Sequence, residues 1–224
     1  MHEAPVSAKI RKALEKKYYA GVGINIAPHA DLMQNIFSSG KGTSTPRLGI
    51  AADWIVSPRL SVETALDYST TKFNLNDDYN CINLADRSRP YGPLRNVAVI
   101  TKAISTSVSI KYRDWISANS QAVFKLGYTP YVSLQHQYEF AYEYRTGSYG
   151  SYGNEETIKE VERKNERSYY GGTLAASAGI IHAVKKKTRL ETSLFYEHSL
   201  GTMGVEQQHL QLFGLRTAYW FKVR

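Results

Sequence analysis

From Leu60 to Leu75 the chain reads LSVETALDYSTTKFNL, and its side chains alternate almost without a slip. Leu60, Val62, Thr64, Leu66 and Tyr68 fall on one face; Ser61, Glu63, Ala65, Asp67 and Ser69 fall on the other. A period of two belongs to a β-strand whose two faces meet different surroundings. With the apolar face inside, such a chain is a soluble β-protein. With that face outside, its solvent is lipid.

Related segments recur along the chain. Strands are expected at 18–27, 46–56, 60–73, 98–113, 120–144, 168–184, 189–200 and 207–222. Residues 1–17 stand apart as a basic tail or short helix, with Ser7 a candidate cap before AKIRKALEKK. Between the strands, short connections (SPR, DWISAN, KKKT) alternate with long polar ones such as PHADLMQNIFSSGKGTST, NLNDDYNCINLADRSRPYGPLRNV and RTGSYGSYGNEETIKEVERKNER; a final loop lies near GTMGVE. That rhythm is expected of an up-and-down barrel, with tight turns at one end and long loops at the other. A soluble sandwich with irregular loops is the alternative.

The composition of the faces separates the two. Leu48, Ile50, Ala52, Trp54 and Val56 oppose Arg47, Gly49, Ala51 and Asp53, while Ile104, Val108 and Ile110 oppose Ser105, Ser107 and Ser109. A water-facing strand surface is usually laced with Lys and Glu. Here the non-apolar faces carry mostly Gly, Ala, Ser and Thr, which suit the crowded inside of a narrow barrel. Their few charges are of both signs: Arg47, Asp53, Glu63, Asp67, Lys111, Lys125, Glu191, Glu197 and Arg216. Gathered in one lumen they can pair, as buried charges must. The apolar stripe is therefore expected to face lipid.

Aromatic residues point the same way. Tyr18, Trp54, Tyr112, Trp115 and Trp220 fall near the short-turn ends of their strands, and Tyr68, Phe73, Tyr138, Phe140 and Tyr170 nearer the long loops. Two aromatic girdles mark the two interfaces of a spanning barrel. No apolar run approaches the ~20 residues of a spanning helix, and the N-terminus lacks the apolar core of a secretory signal. The chain is then either cytosolic or a mature piece whose leader has been removed. Its mean hydropathy of −0.40 does not decide against lipid, because barrels hide from hydropathy scans.

Some positions strain the pattern. Pro130 inside the fifth strand implies a bulge, since proline cannot donate to a ladder. Lys102 and His182 fall on the lipid side, which is tolerable near an interface. In HLQLFGLRTAYWFKVR the preferred phase sends Phe213, Leu215, Thr217, Tyr219 and Phe221 outward and Arg216 inward, with a bulge before Phe213 to reconcile Leu210 and Leu212.

In YYAGVGINIAP, in RLGIAADWIVSPRLSVETALDYSTTKF and in the terminal LRTAYWFKVR, the chain resembles the outer-membrane β-barrel domains of the OmpA/OmpX and PorT-like type common in Bacteroidota. The resemblance spans 18–224 in layout and rests on pattern rather than on a signature motif. It implies an eight-stranded antiparallel transmembrane barrel in a Gram-negative outer membrane, with periplasmic termini and extracellular long loops. The chain departs from the usual form in lacking a leader and in ending KVR rather than on an aromatic residue.

Little in the sequence suggests chemistry. The run Glu197, His198, Ser199 is tempting for a hydrolase, but alternation sends His198 away from its neighbours. Asp77 and Asp78 lack calcium-loop spacing, and His182, His198 and His209 lack zinc spacing. Cys81 stands alone, so no internal disulfide can form. No cofactor and no metal are expected. The net charge of +8 allows an anionic partner; lipid and lipopolysaccharide are expected, with another envelope protein or peptide and not nucleic acid. The fifth strand exceeds twice the ~9–11 residues of a tilted crossing, so LQHQYEFAYEY is expected to project as a ribbon whose edge can pair with a partner. The expected role is a non-enzymatic anchor, adhesin or accessory subunit. An outer-membrane enzyme acting on lipid or peptide and a soluble ligand-binding barrel are the alternatives.

Overall fold

The computed structural model describes residues 8–18, 24–35, 45–75, 94–146, 156–166, 170–185, 187–201 and 211–223. One helix, α1 (Ala8–Tyr18), precedes nine strands: β1 (Ile24–Asn35), β2 (Thr45–Ile55), β3 (Leu60–Leu75), β4 (Leu94–Trp115), β5 (Ser120–Thr146), β6 (Glu156–Glu166), β7 (Tyr170–Lys185), β8 (Thr188–Ser199) and β9 (Gln211–Val223). Eight of them close a ring in the order β4-β3-β2-β1-β9-β8-β7-β5, sealed by β4 against β5. Every pairing is antiparallel. The ring leaves its members no free edge, which is how a sheet satisfies its backbone without water.

The ninth strand stands outside the ring. From Ser120 to Val132, β5 pairs with β7; from His136 to Thr146 it pairs with β6. On its other side β5 keeps β4 from Trp115 up to Leu94. A sheet of β4, β5 and β6 thus rises past the ring at the long-loop end. The projecting ribbon expected of LQHQYEFAYEY is present as part of this sheet. Its partner β6, ETIKEVERKNE, lies within a segment read from sequence as loop.

The first strand differs from expectation. Among the described residues it runs from Ile24 to Asn35, through residues taken for a loop, while residues 19–23 lie outside them. Tyr18 is the last residue of α1, so it is not a strand aromatic at an interface. The run AKIRKALEKKY is built of good helix formers, whose local preference prevails there. Nor does Pro28 end β1. The ladder to β9 passes from Ile26↔Phe221 to His29↔Ala218 with no pair between and no change of register, so the missing donor costs no slip.

The bulge expected at Pro130 is not there. Pairing with β4 is interrupted opposite Thr129 and Pro130, yet the register resumes unchanged. The shift falls instead between Lys102↔Gln135 and Ala103↔Ser133, leaving Leu134 as the extra residue. It inverts the inward phase: Tyr131 and Ser133 point in below it, and His136 above it. In β9 no bulge precedes Phe213. Leu212 simply faces inward, packed with Met33 and Phe195.

Leu48, Ile50, Val108, Ile110, Phe124 and Leu126 are all more than half exposed, and exposed large apolar residues recur on every strand of the ring. An apolar belt this extensive is far beyond the few hundred Å² that a water-soluble monomer tolerates as a patch. The apolar face of Leu60–Leu75 is the outer one.

Candidate functional site

The interior is polar. Asp31 on β1 sits in register between Arg47 on β2 and Arg216 on β9. Arg216 grips it with two bonds of 2.8 Å, and Arg47 Nε donates to Asp31 Oδ2 at 2.6 Å. The other end of the Arg47 guanidinium forms a fork with Glu197 on β8, at 2.6 and 3.1 Å. The same guanidinium lies over the Phe195 ring at 5.0 Å. Beside this group His29 Nε2 meets Asp67 Oδ1.

Nearer the short turns a second group forms around two lysines. Lys111 and Lys125 lie directly opposite each other on β4 and β5, and Asp53 and Glu63 do so on β2 and β3. Like charges so placed repel; here the repulsion is resolved across the lumen. Lys111 Nζ reaches Glu63 at 3.0 Å and Glu191 at 2.7 Å, and Lys125 Nζ reaches the same two carboxylates at 2.7 and 2.6 Å. Arg113 Nη1 takes Asp53 at 3.0 Å. Trp220 Nε1 donates to Glu191 at 2.9 Å while its ring lies 4.2 Å from Lys111 Nζ. Arg216 Nη1, 3.6 Å from Glu63, links the two groups.

All nine charged residues read into the lumen from sequence lie there, and the ion pairs connect eight of them, Asp67 instead pairing with His29. The sequence reading omitted His29, Asp31 and Arg113. The first two fell in the segment mistaken for a loop. Arg113 carried a usable signal, being two residues from Lys111 and hence on the same face.

The long side chains have room because the facing wall is small. Ser107, Ser109, Thr129 and Ser177 border a cavity of about 20 Å³ beside Lys125 and Arg216. A void of that size holds about one water molecule. Gly49 serves the same end, since a methyl group there would collide with the Asp67 carboxylate, the His29 ring and the Leu66 carbonyl.

Of the expected interface aromatics, Trp54, Tyr68 and Tyr112 are exposed on the outer face, and Trp54 Nε1 donates to Thr64 Oγ1 at 3.3 Å. Trp115 and Trp220 are not: they are 7% and 3% exposed and point inward. Each sits in phase with an inward cation or small residue, Arg113 for Trp115 and Ala218 for Trp220. The pull of an interface for tryptophan does not override the pleat. Tyr170 is exposed as well. Lys102 is half-buried, and exposed His182 lies near a short turn with Nδ1 2.9 Å from Ser120 Oγ. Glu197 and Ser199 point inward while His198 lies on the other face, so the three do not converge. Asp77, Asp78, Cys81, His209 and the RTGSYGSYGN tip beyond Thr146 lie outside the described residues, as do the side chains of Phe73, Tyr138 and Phe140. Among the described residues no group of His, Cys, Asp or Glu is placed to hold a metal.

A closed ring with an apolar belt and an ion-paired interior decides the class. The fold is a transmembrane β-barrel. Neisserial surface protein A is similar over 91% of this chain and 99% of its own, at 13% identity and a TM-score of 0.51. Ail, the attachment invasion locus protein of Yersinia pestis, matches at 10% identity and a TM-score of 0.45, over 90% of this chain and 97% of that one. The outer membrane protein OprG of Pseudomonas aeruginosa matches at 10% and 0.46, over 90% and 96%. No protein-family model matches the barrel's sequence, and neither does any curated protein.

Proposed function

We propose that the protein is a non-enzymatic barrel of a Gram-negative outer membrane, with periplasmic termini, that anchors a binding surface at its long-loop end. The observation that carries this reading is the division of labour along β5. Its lower half belongs to the closed ring, and its upper half to the sheet with β4 and β6. A crossing uses only ~9–11 residues of a strand, whereas β5 has 27 and β4 has 22. The surplus stands clear of the apolar belt, where another envelope protein or a peptide can reach it. Lipid surrounds the belt, and lipopolysaccharide meets the same end.

The lumen supports a supporting role over a transport role. Eight strands leave an interior just wide enough for side chains, and here those side chains are locked to one another. The Glu197 carboxylate, which a hydrolase at this place would need, is occupied by Arg47.

The test separates anchor from surface. Replacing residues 138–164 by a short turn joins β5 to β6 near their Gln137↔Asn165 pair and removes most of the projection. The shortened chain is expected to retain a heat-dependent shift in gel mobility and to lose the cross-linked adducts that the full chain forms with envelope components on intact cells. Adducts that persist unchanged would sink the reading.

A further inference from the structure

The end of the barrel with the short turns is chemically one-sided. Lys185 and Lys187 flank the β7–β8 turn, and Lys222 closes β9 beside it, its N–H bonded to the Lys187 carbonyl at 3.0 Å. All three are exposed. Helix α1 adds to them: Arg11 Nη2 donates to the Trp115 carbonyl at 3.4 Å and Arg11 Nη1 lies 3.4 Å from Asp114 Oδ1, which holds the helix against this rim. Lys9 and Lys12 are exposed on either side of that tether, with Ile10 half exposed between. Asp114 at this rim is paired with Arg11, and α1 itself carries one acid, Glu15, against Lys9, Arg11, Lys12, Lys16 and Lys17.

These lysines border the apolar belt directly. Val184 precedes Lys185, and Phe221 and Val223 flank Lys222; all three apolar residues are more than 40% exposed. An ammonium one residue beyond a lipid-facing side chain sits at headgroup depth, with its aliphatic stem on the acyl boundary. Basic groups at that depth attract anionic headgroups.

We propose that the short-turn rim, with α1, is a binding surface for anionic phospholipid in the leaflet at that end of the barrel. It rests on the membrane reading above and adds a lipid preference and a sidedness to it. The lysines from β7, the β7–β8 turn and β9 form one arc, and α1, fixed by Arg11, extends that arc with a helix whose Ile10 enters the leaflet.

Trp54 makes the proposal measurable. It is one of three tryptophans and it faces lipid near the short-turn end, whereas Trp115 and Trp220 face the lumen. The full chain is refolded into phosphatidylcholine vesicles doped with an equal mole fraction of acyl-brominated phosphatidylglycerol or acyl-brominated phosphatidylcholine. Bromines at the same depth quench Trp54 according to local lipid concentration. The charged lipid is expected to quench about twofold more strongly, and the difference should vanish at roughly 1 M salt, where screening acts within ~3 Å. It should also vanish in a K9Q/K12Q/K185Q/K187Q/K222Q variant that keeps its heat-dependent mobility shift. Equal quenching by the two lipids in the unmodified chain overturns the proposal, as does a preference that survives high salt. Absence of quenching by either lipid overturns the membrane reading itself and is thereby told apart.

Discussion

Asp31 is the residue on which the upper lumen depends. Its two oxygens satisfy two guanidiniums, and each guanidinium also reaches another carboxylate. Removing one partner from a buried charge network leaves the others desolvated and unpaired. Asp31→Asn is therefore expected to destabilise the barrel by roughly 3–5 kcal/mol, read from urea unfolding in vesicles; a loss within error would remove Asp31 from this role. Gly49 tests the same region from the side of space. Gly49→Val drives atoms into the His29–Asp67 contact and should cost about 1–3 kcal/mol in the same assay. Most lumen charges were legible in the sequence, because an alternating strand assigns each residue to a face with no knowledge of its partner. The partners themselves were not legible, since Arg47 and Glu197 are 150 residues apart. Trp115 and Trp220 were misjudged for a related reason: residue type suggested an interface where phase dictated the lumen.

At the scale of elements, the strands that face lipid on one side and the lumen on the other were readable, and those that do not were missed. β6 is the clearest case. It pairs with the half of β5 that has left the ring, and ETIKEVERKNE shows no apolar alternation in its sequence. The far half of β1 was missed because Pro28 and the polar residues after it resemble a turn, although the lumen is where His29 and Asp31 belong. Leu134 offers a check on the bulge. Deleting it removes the extra residue, so the segment above must either change phase or lose pairing with β4. The expected result is faster amide exchange from His136 to Thr146, with protection kept below Val132. Uniform protection would show that the bulge does not set the phase of the projection.

For the whole molecule, the alternation of long and short connections was enough to indicate a closed ring of eight. It was not enough to show what the lumen conducts. The interlocked side chains and the water-sized void beside Lys125 imply that the reconstituted barrel gives no steady conductance in a planar bilayer. Removing both lysines of the lower group (K111A/K125A) opens space and leaves Glu63 and Glu191 facing each other, so any leak should appear there and favour cations. A steady conductance in the unmodified protein would contradict the plugged interior.

The two partners of β5 have a mechanical consequence. A tug on the projecting sheet enters the wall along a backbone that runs unbroken from the tip to the short-turn end. It then loads the β4 ladder lengthwise from Leu94 to Trp115 and the β7 ladder from Val132 to Ser120. Bonds loaded in shear must give way together, whereas bonds at a peeled edge fail one after another. The barrel is thus built to hold against drag, and under force the weak place is β6, which among the described residues pairs with β5 alone and can unzip first.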